Sequence, residues 1–515
     1  MKRQRSELPG RDKRAVRHTA PKGRYRMADE RHVAVVGAGI AGIAAATVLA
    51  ERGVRVTLLE SEPRLGGRVA SWDTGDGRTM SRGFHAFFRQ YYNLRSLLRR
   101  IDPELQHLVP VPDYPLQRPD GLRDSFSNIP LTPPWSILGF VAKSPSFHAR
   151  SLFGVDVGAA IELLRVRFPD TYSEYEGESA ARFLDRLRFP ADARDLALEV
   201  FARSFFADPD DFAAGELIAM FHTYFLGSAE GLVFDVPDDD YDATLWAPLG
   251  RLLTDYGVEI RPGTTVHAIK ITGEGAKVSL DDGSLAADAV VLATDPRSAR
   301  GLVASTTSSA LRGWREAVAL TQNAPPFVVV RLWYDGPVAS ERPPFLGTSG
   351  YGALDNVSVL ERFERGAARW SSEHGGASVI ELHAYACGAS VMDDQKCLDA
   401  LVSELESQLH RVFPEAAHLD MIHREVLVRD DCTVIGPRGW EKRPGVRTPS
   451  PSLVLAGDWV ACDLPVALME RAATTGFLAA NTLLDRWGVQ GQDIWTTPMS
   501  GLLRTPKQRS WIALP

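Results

Sequence analysis

A short β-branched run, His32–Val36, stops abruptly at Gly37, and Gly39 and Gly42 follow at G-x-G-x-x-G spacing before good helix formers take over from Ile43 to Arg52. The pattern reads as strand, tight turn, helix. The first glycine permits the sharp turn, the second lets backbone approach a pyrophosphate, and the third lets helix and strand pack closely, with the helix N-terminus facing phosphate charge. Ile40 and Ala41 carry the amides of that first turn. Gly53 ends the helix, Val54–Leu59 forms a second strand, and Glu60 with Ser61 stands at its end, where a carboxylate can accept both hydroxyls of a ribose. A glycine-rich turn inside a buried helix would show the same glycines. It would not also follow a strand and precede an acid at this distance, so the unit is read as a dinucleotide site.

The next residues narrow the dinucleotide. Leu65-Gly66-Gly67-Arg68 resembles the extension found in flavoproteins of the amine oxidase and carotenoid desaturase superfamily, which implies FAD, with Gly67 and Arg68 on its flavin side. The aromatic run Gly83-Phe84-His85-Ala86-Phe87-Phe88-Arg89-Gln90-Tyr91-Tyr92-Asn93-Leu94 resembles a segment of plant and cyanobacterial-type carotene desaturases. Near the C-terminus the buried strand Leu453–Ala456 ends in Gly457-Asp458, followed by Leu464–Ala472 and a small-residue helix.

Together with Arg429–Arg438 and Asp463–Thr475, these motifs make the chain similar to the isorenieratene synthase family from His32 to about Pro498. The resemblance implies that Val266 touches the adenine side and that Asp458 bonds the ribityl-pyrophosphate. It also implies that Val466 and Met469 lie where the last helix points its N-terminus at the isoalloxazine. A helix N-terminus stabilises negative charge there by roughly 0.3–1 kcal/mol. Linear-carotene desaturases usually carry glycine where Arg471 stands, which points away from linear substrates.

The expected fold is α/β: a Rossmann-type FAD-binding domain built from 32–115, 246–320 and 426–490, with an inserted α+β substrate domain at 321–425. A helical substrate and membrane-contact region is expected at 116–245, as in amine oxidases and phytoene desaturases, with tails at 1–31 and 491–515. Residues 1–31 hold 11 Lys/Arg and 4 Asp/Glu, so the rest of a chain of net charge −7 carries −14. This basic stretch is read as a disordered, solvated tail, and no nucleic-acid partner is expected. Cys387, Cys397, Cys432 and Cys462 are widely spaced without C-x-x-C, which argues against a zinc site or disulfide framework. The most apolar window, Val33–Ala50, is a buried Rossmann element rather than a membrane span. Trp135–Ala142, beside Lys143, His148 and Arg150, is a candidate monotopic membrane contact on the cytoplasmic leaflet.

The implied reaction converts β-ionone rings of β-carotene to aromatic rings. The gem-dimethyl carbon has no hydrogen to lose, so one methyl must shift to its neighbour after hydride removal to flavin, and an outside acceptor such as a quinone must reoxidise the flavin. Phe87, Phe88 and Tyr92 could each stabilise the ring cation by ~0.5–2 kcal/mol. His85, Asp463 and Glu470 are the candidate bases. A forty-carbon hydrocarbon would cost on the order of 30 kcal/mol to carry through water, so the protein should meet it in a membrane. The alternatives are a desaturase or isomerase of another isoprenoid, a flavin amine or protoporphyrinogen oxidase, and a non-enzymatic lipid escort.

Overall fold

The computed structural model describes residues 8–146, 157–188, 205–273, 275–306 and 311–503. Its nucleotide sheet has five parallel strands in the order Glu259–Arg261, Arg55–Leu59, His32–Val36, Ala289–Leu292 and Leu453–Leu455. Strands covered on both faces must be apolar throughout, which accounts for the unbroken runs Ala289–Leu292 and Leu453–Leu455, both fully buried. Helix Ile40–Glu51 connects strands His32–Val36 and Arg55–Leu59 and is buried from Ile40 to Ala50. It packs on helix Leu468–Arg486, where a Cβ at Gly476 would lie 2.3 Å from the Ala41 carbonyl oxygen. Only glycine allows that approach, and it explains the apolar Val33–Ala50 window without a membrane.

The second layer is a seven-stranded mixed sheet in the order Met421–Arg429, Phe327–Tyr334, Val379–Ala384, Asn356–Val359, Phe345–Thr348, Leu116–Gln117 and Arg123–Asp124. Helix Gln395–Val412 closes one face with Val402, Leu405, Leu409 and Val412. Its start is capped by Asp394, which accepts from the Lys396 N–H. The last two strands lie in the stretch read as helical. They are two residues long, too short for an alternating pattern to show.

The expected disordered tail is a correction. Within it, Val16–His18 pairs antiparallel with Ile494–Thr496, and the Arg24 N–H bonds the Gly488 carbonyl. Asp12 is buried, accepting from the Ala229 and Arg14 N–H groups. The C-terminal segment read as a second tail supplies the matching strand, and Asp493 pairs with Arg17. The basic residues are therefore spent partly on local acids and carbonyls, so residues 8–31 are not a free cationic arm.

Trp135–Lys143 is a helix with Trp135 63% and Leu138 56% exposed. Phe140 of the same stretch faces inward and stacks on Phe126. His148 and Arg150 lie outside the described residues. Among the described residues no helix is long and apolar enough to cross a membrane.

Candidate flavin and substrate site

A cavity of about 910 Å³ runs from the edge of the nucleotide sheet to the face of the seven-stranded sheet. At its first end Gly37 has φ +101°, and a Cβ there would meet the Ala293 carbonyl at 2.6 Å. A Cβ on Gly39 would meet only the Gly67 Cα, at 3.9 Å, so any side chain there would project into the cavity. Gly42 lies outside the lining, since its lack of Cβ accommodates the Gly37 carbonyl. Helix Ile40–Glu51 has no side-chain cap, leaving its first amides for an anion. Glu60 is fixed beside them, accepting from the Ala38 N–H at 2.7 Å and the Glu62 N–H at 2.9 Å. Ser61 and Val266 complete this wall. Open glycine backbone, an uncapped helix start and a fixed carboxylate fit the pyrophosphate and ribose of FAD.

Midway, Gly66 and Gly67 turn with positive φ, and a Cβ on Gly66 would strike the Trp246 indole at 2.3 Å. The turn delivers Arg68 to Asp458 in a two-bond pair, Nη1–Oδ2 2.9 Å and Nη2–Oδ1 2.6 Å. Gly457, Met469 and Arg471 adjoin it in the wall. Val466 is buried but outside the lining. Arg471 and Arg443 both hold Glu216, at 2.6 and 2.9 Å. Burial pushes the Glu216 carboxyl upward, but the two guanidinium groups outweigh it and hold it below its ordinary value. The sequence singled out Arg471 only as a departure. Its partner Glu216 is 255 positions away and gave no signal.

The far end is aromatic, with Phe84, Phe88, Tyr91, Tyr114, Phe206 and Phe345 in the lining. Of the three predicted cation-stabilising rings only Phe88 is among them. Phe87 points into the core, and Tyr92 is buried with its hydroxyl on Glu230. His85 lines the cavity; its Nδ1 lies 2.8 Å from the Gly83 carbonyl, so Nδ1 carries the proton. Burial lowers its pKa to about 4, leaving a neutral ring whose Nε2 has its lone pair.

The other two candidate bases are corrected. Asp463 is exposed and outside the lining, because the turn before the last helix carries it to the surface. Glu470 is buried away from the cavity and accepts from the Asn93 N–H and Nδ2–H at 2.8 Å and the Leu94 N–H at 2.9 Å. It anchors the start of helix Tyr92–Leu98, and burial lifts its carboxyl to about 8 despite those donors.

One constellation escaped the sequence reading. Glu381, His383 and Tyr385 occupy alternate positions on strand Val379–Ala384 and its exit. His383 Nε2 is 2.8 Å from Glu381 Oε1, His383 Nδ1 is 2.6 Å from the Tyr385 hydroxyl, and Tyr385 lines the cavity. Arg331 occupies the other Glu381 oxygen at 2.6 Å. Burial raises the Glu381 carboxyl, but Arg331 and then His383 overcome this and hold it at about 2. A polar residue at every second position of an otherwise apolar strand was the available signal.

A five-stranded nucleotide sheet and a seven-stranded sheet flanking one glycine-walled cavity are the architecture of an FAD-dependent oxidoreductase. The sequence profile described as flavin containing amine oxidoreductase matches residues 40–484, and the chain belongs to that family. Within it the chain is 53% identical to the carotenoid phi-ring synthase of Streptomyces griseus, covering 96% of both chains. It is 27% identical to the carotenoid phi-ring synthase of Chlorobaculum tepidum, over 93% of this chain and 92% of that one. These matches place it in the isorenieratene synthase-type group. Among solved structures, cyclohexylamine oxidase from Brevibacterium oxydans superposes with TM-score 0.65 at 14% identity, covering 89% of this chain and 99% of that one. Wild-type putrescine oxidase superposes with TM-score 0.63 at 16% identity over 88% and 98%.

Proposed function

We propose that this protein aromatises the β-ionone rings of β-carotene, moving one methyl group within each ring. The observation that carries the reading is the 53% identity, over nearly the full length, to a carotenoid phi-ring synthase, joined to a cavity whose inner end is walled by aromatic rings. Bound FAD supplies a two-electron hydride acceptor. Gly39, Glu60 and Val266 would hold its adenosine and pyrophosphate portion, with Arg68 and Asp458 further along the same wall. Phe88 and its neighbours exclude water and offer π-faces to a ring cation. His85, neutral and with Nε2 unprotonated, is positioned to take a proton at the cavity wall.

A water-insoluble substrate calls for a membrane route, and the exposed Trp135 and Leu138 supply an apolar contact beside Lys143. We assign the protein to the cytoplasmic face of the membrane as a peripheral protein, with a quinone-class acceptor reoxidising the flavin. The test is expression in a bacterium that makes β-carotene and, in parallel, in one that makes only linear carotenes. Aromatic-ring pigment in the first and unchanged pigment in the second supports the reading; new desaturation in the second, with none in the first, overturns it.

A further inference from the structure

Resting on the aromatisation reading, we propose that Tyr385, His383 and Glu381 form a proton relay that takes protons from the substrate ring. Tyr385 is the catalytic group at the cavity wall, and the other two are positioning residues. The chemistry requires proton acceptors beside the ring. A β-ionone ring carries six hydrogens on its three methylene carbons, and the aromatic product keeps two. Four hydrogens therefore leave each ring, as two hydrides and two protons. The hydrides go to the flavin and on to the outside acceptor. The protons need a base, and His85 alone must be reset between the two losses.

The geometry decides how the relay runs. Glu381 is ionised beside Arg331, so the imidazole proton of His383 sits on Nε2 and faces Glu381 Oε1 at 2.8 Å. The Phe84 N–H also approaches Nε2, at 3.3 Å, but the anion is nearer and stronger. His383 Nδ1 then accepts from the Tyr385 hydroxyl at 2.6 Å. The Tyr385 oxygen itself accepts from Asn356 Nδ2 at 3.2 Å. This is the nucleophile–base–orienter order of a hydrolytic triad, with a phenol where a serine would stand.

As a ring C–H bond breaks, its electron pair forms the new ring double bond, and its proton goes to the Tyr385 oxygen. The tyrosine's own proton passes to His383 Nδ1, and Glu381 balances the resulting imidazolium. Glu381 and His383 are each 1% exposed, so the charge they hold is screened little by water. Two neighbours support the assignment. A Cβ at Gly83 would lie 2.8 Å from His383 Cε1, so glycine there leaves the imidazole its room. Phe206 packs edge-on against the Tyr385 ring at 4.8 Å, fixing its direction.

The test uses purified, flavin-loaded wild type, Tyr385→Phe and His383→Gln on phosphatidylglycerol vesicles containing β-carotene. Anaerobic flavin bleaching reports hydride removal, and aromatic product after addition of a quinone reports completion. Both variants should keep their flavin and bleach at near wild-type rate, while product falls by about 100-fold or more. In D2O the wild type should make product more slowly without bleaching more slowly, a response that a purely structural role would not give. Wild-type product yield in Tyr385→Phe overturns the relay. Equal loss of bleaching and product also overturns it, since Tyr385 would then only seat the substrate. A wild type that is not bleached by β-carotene overturns the aromatisation reading, and the relay with it.

Discussion

The guanidinium of Arg68 and the carboxylate of Asp458, 390 positions apart, meet through two hydrogen bonds in the wall of the cavity. The pair joins the glycine turn of the first nucleotide segment to the end of the last strand. Burial opposes the charge on Arg68, but Asp458 more than compensates and raises its pKa. The Asp458 side chain is 9% exposed and that of Arg68 29%, so breaking the pair should cost ~2–3 kcal/mol, below the range for fully buried pairs. We expect Arg68→Met and Asp458→Asn each to lower thermal stability and flavin occupancy. The double variant should lose less than the sum of the two, as a double-mutant cycle by denaturation would show; strict additivity would mean that the residues act separately.

Glu470 should behave as an anchor. Glu470→Ala strands the Asn93 and Leu94 amides, each worth ~1–3 kcal/mol when buried without a partner. Thermal stability and flavin content should drop together, with product per bound flavin unchanged. Loss of product at full flavin occupancy would restore a chemical role for this carboxylate.

His222 sets an acid limit. It is fully buried, its Nε2 lies 2.6 Å from the Pro498 carbonyl, and burial lowers its pKa to about 4. An unfolded chain protonates this ring near 6.5, so the unfolded state binds more protons below that pH. Its contribution to stability is complete above about 6.5 and is lost as pH falls towards 4, by ~3 kcal/mol in all. Denaturation midpoints of wild type and His222→Gln, measured from pH 7 to 4, should diverge at neutral pH and converge in acid. Parallel curves would remove His222 from the acid response.

The proposed membrane contact narrows from the whole stretch to its two exposed apolar side chains, Trp135 and Leu138. Burying either in lipid is worth ~2 kcal/mol, so Trp135→Ser or Leu138→Ser should weaken vesicle partitioning by about tenfold or more with stability unchanged. Phe140→Ser should instead destabilise the fold, because that ring belongs to the core. Sedimentation with vesicles separates the two effects, and unaltered partitioning of the Trp135 and Leu138 variants would rule this face out.

What the sequence made legible follows from how local each constraint is. Gly37, Gly39 and Glu60 act within one strand–turn–helix–strand unit, so their spacing carried their placement. Leu398, Leu401, Leu405 and Leu409 recur at helical spacing, an equally local signal, and helix Gln395–Val412 buries Leu405 and Leu409. Asp463 and Glu470 were placed by proximity to a helix start, but a shift of a few positions along a turn decides between surface, core and cavity. Val16–His18 gave no sign of structure because a three-residue strand is specified by its partner, Ile494–Thr496, far along the chain. The Glu381–His383–Tyr385 alternation was visible in the strand, but its meaning depends on Arg331 and on the cavity beyond Tyr385, which only the assembled sheet supplies.

The most direct measurement of the central claim is the structure of the product made by the purified, flavin-loaded protein from β-carotene in vesicles with a quinone. Mass spectrometry should show the loss of four hydrogens for each ring converted. NMR should place one of the former gem-dimethyl groups on the adjacent ring carbon, with every carbon of the substrate retained. Ring products that keep both methyls on one carbon, or hydrogen loss confined to the polyene chain, would contradict the account.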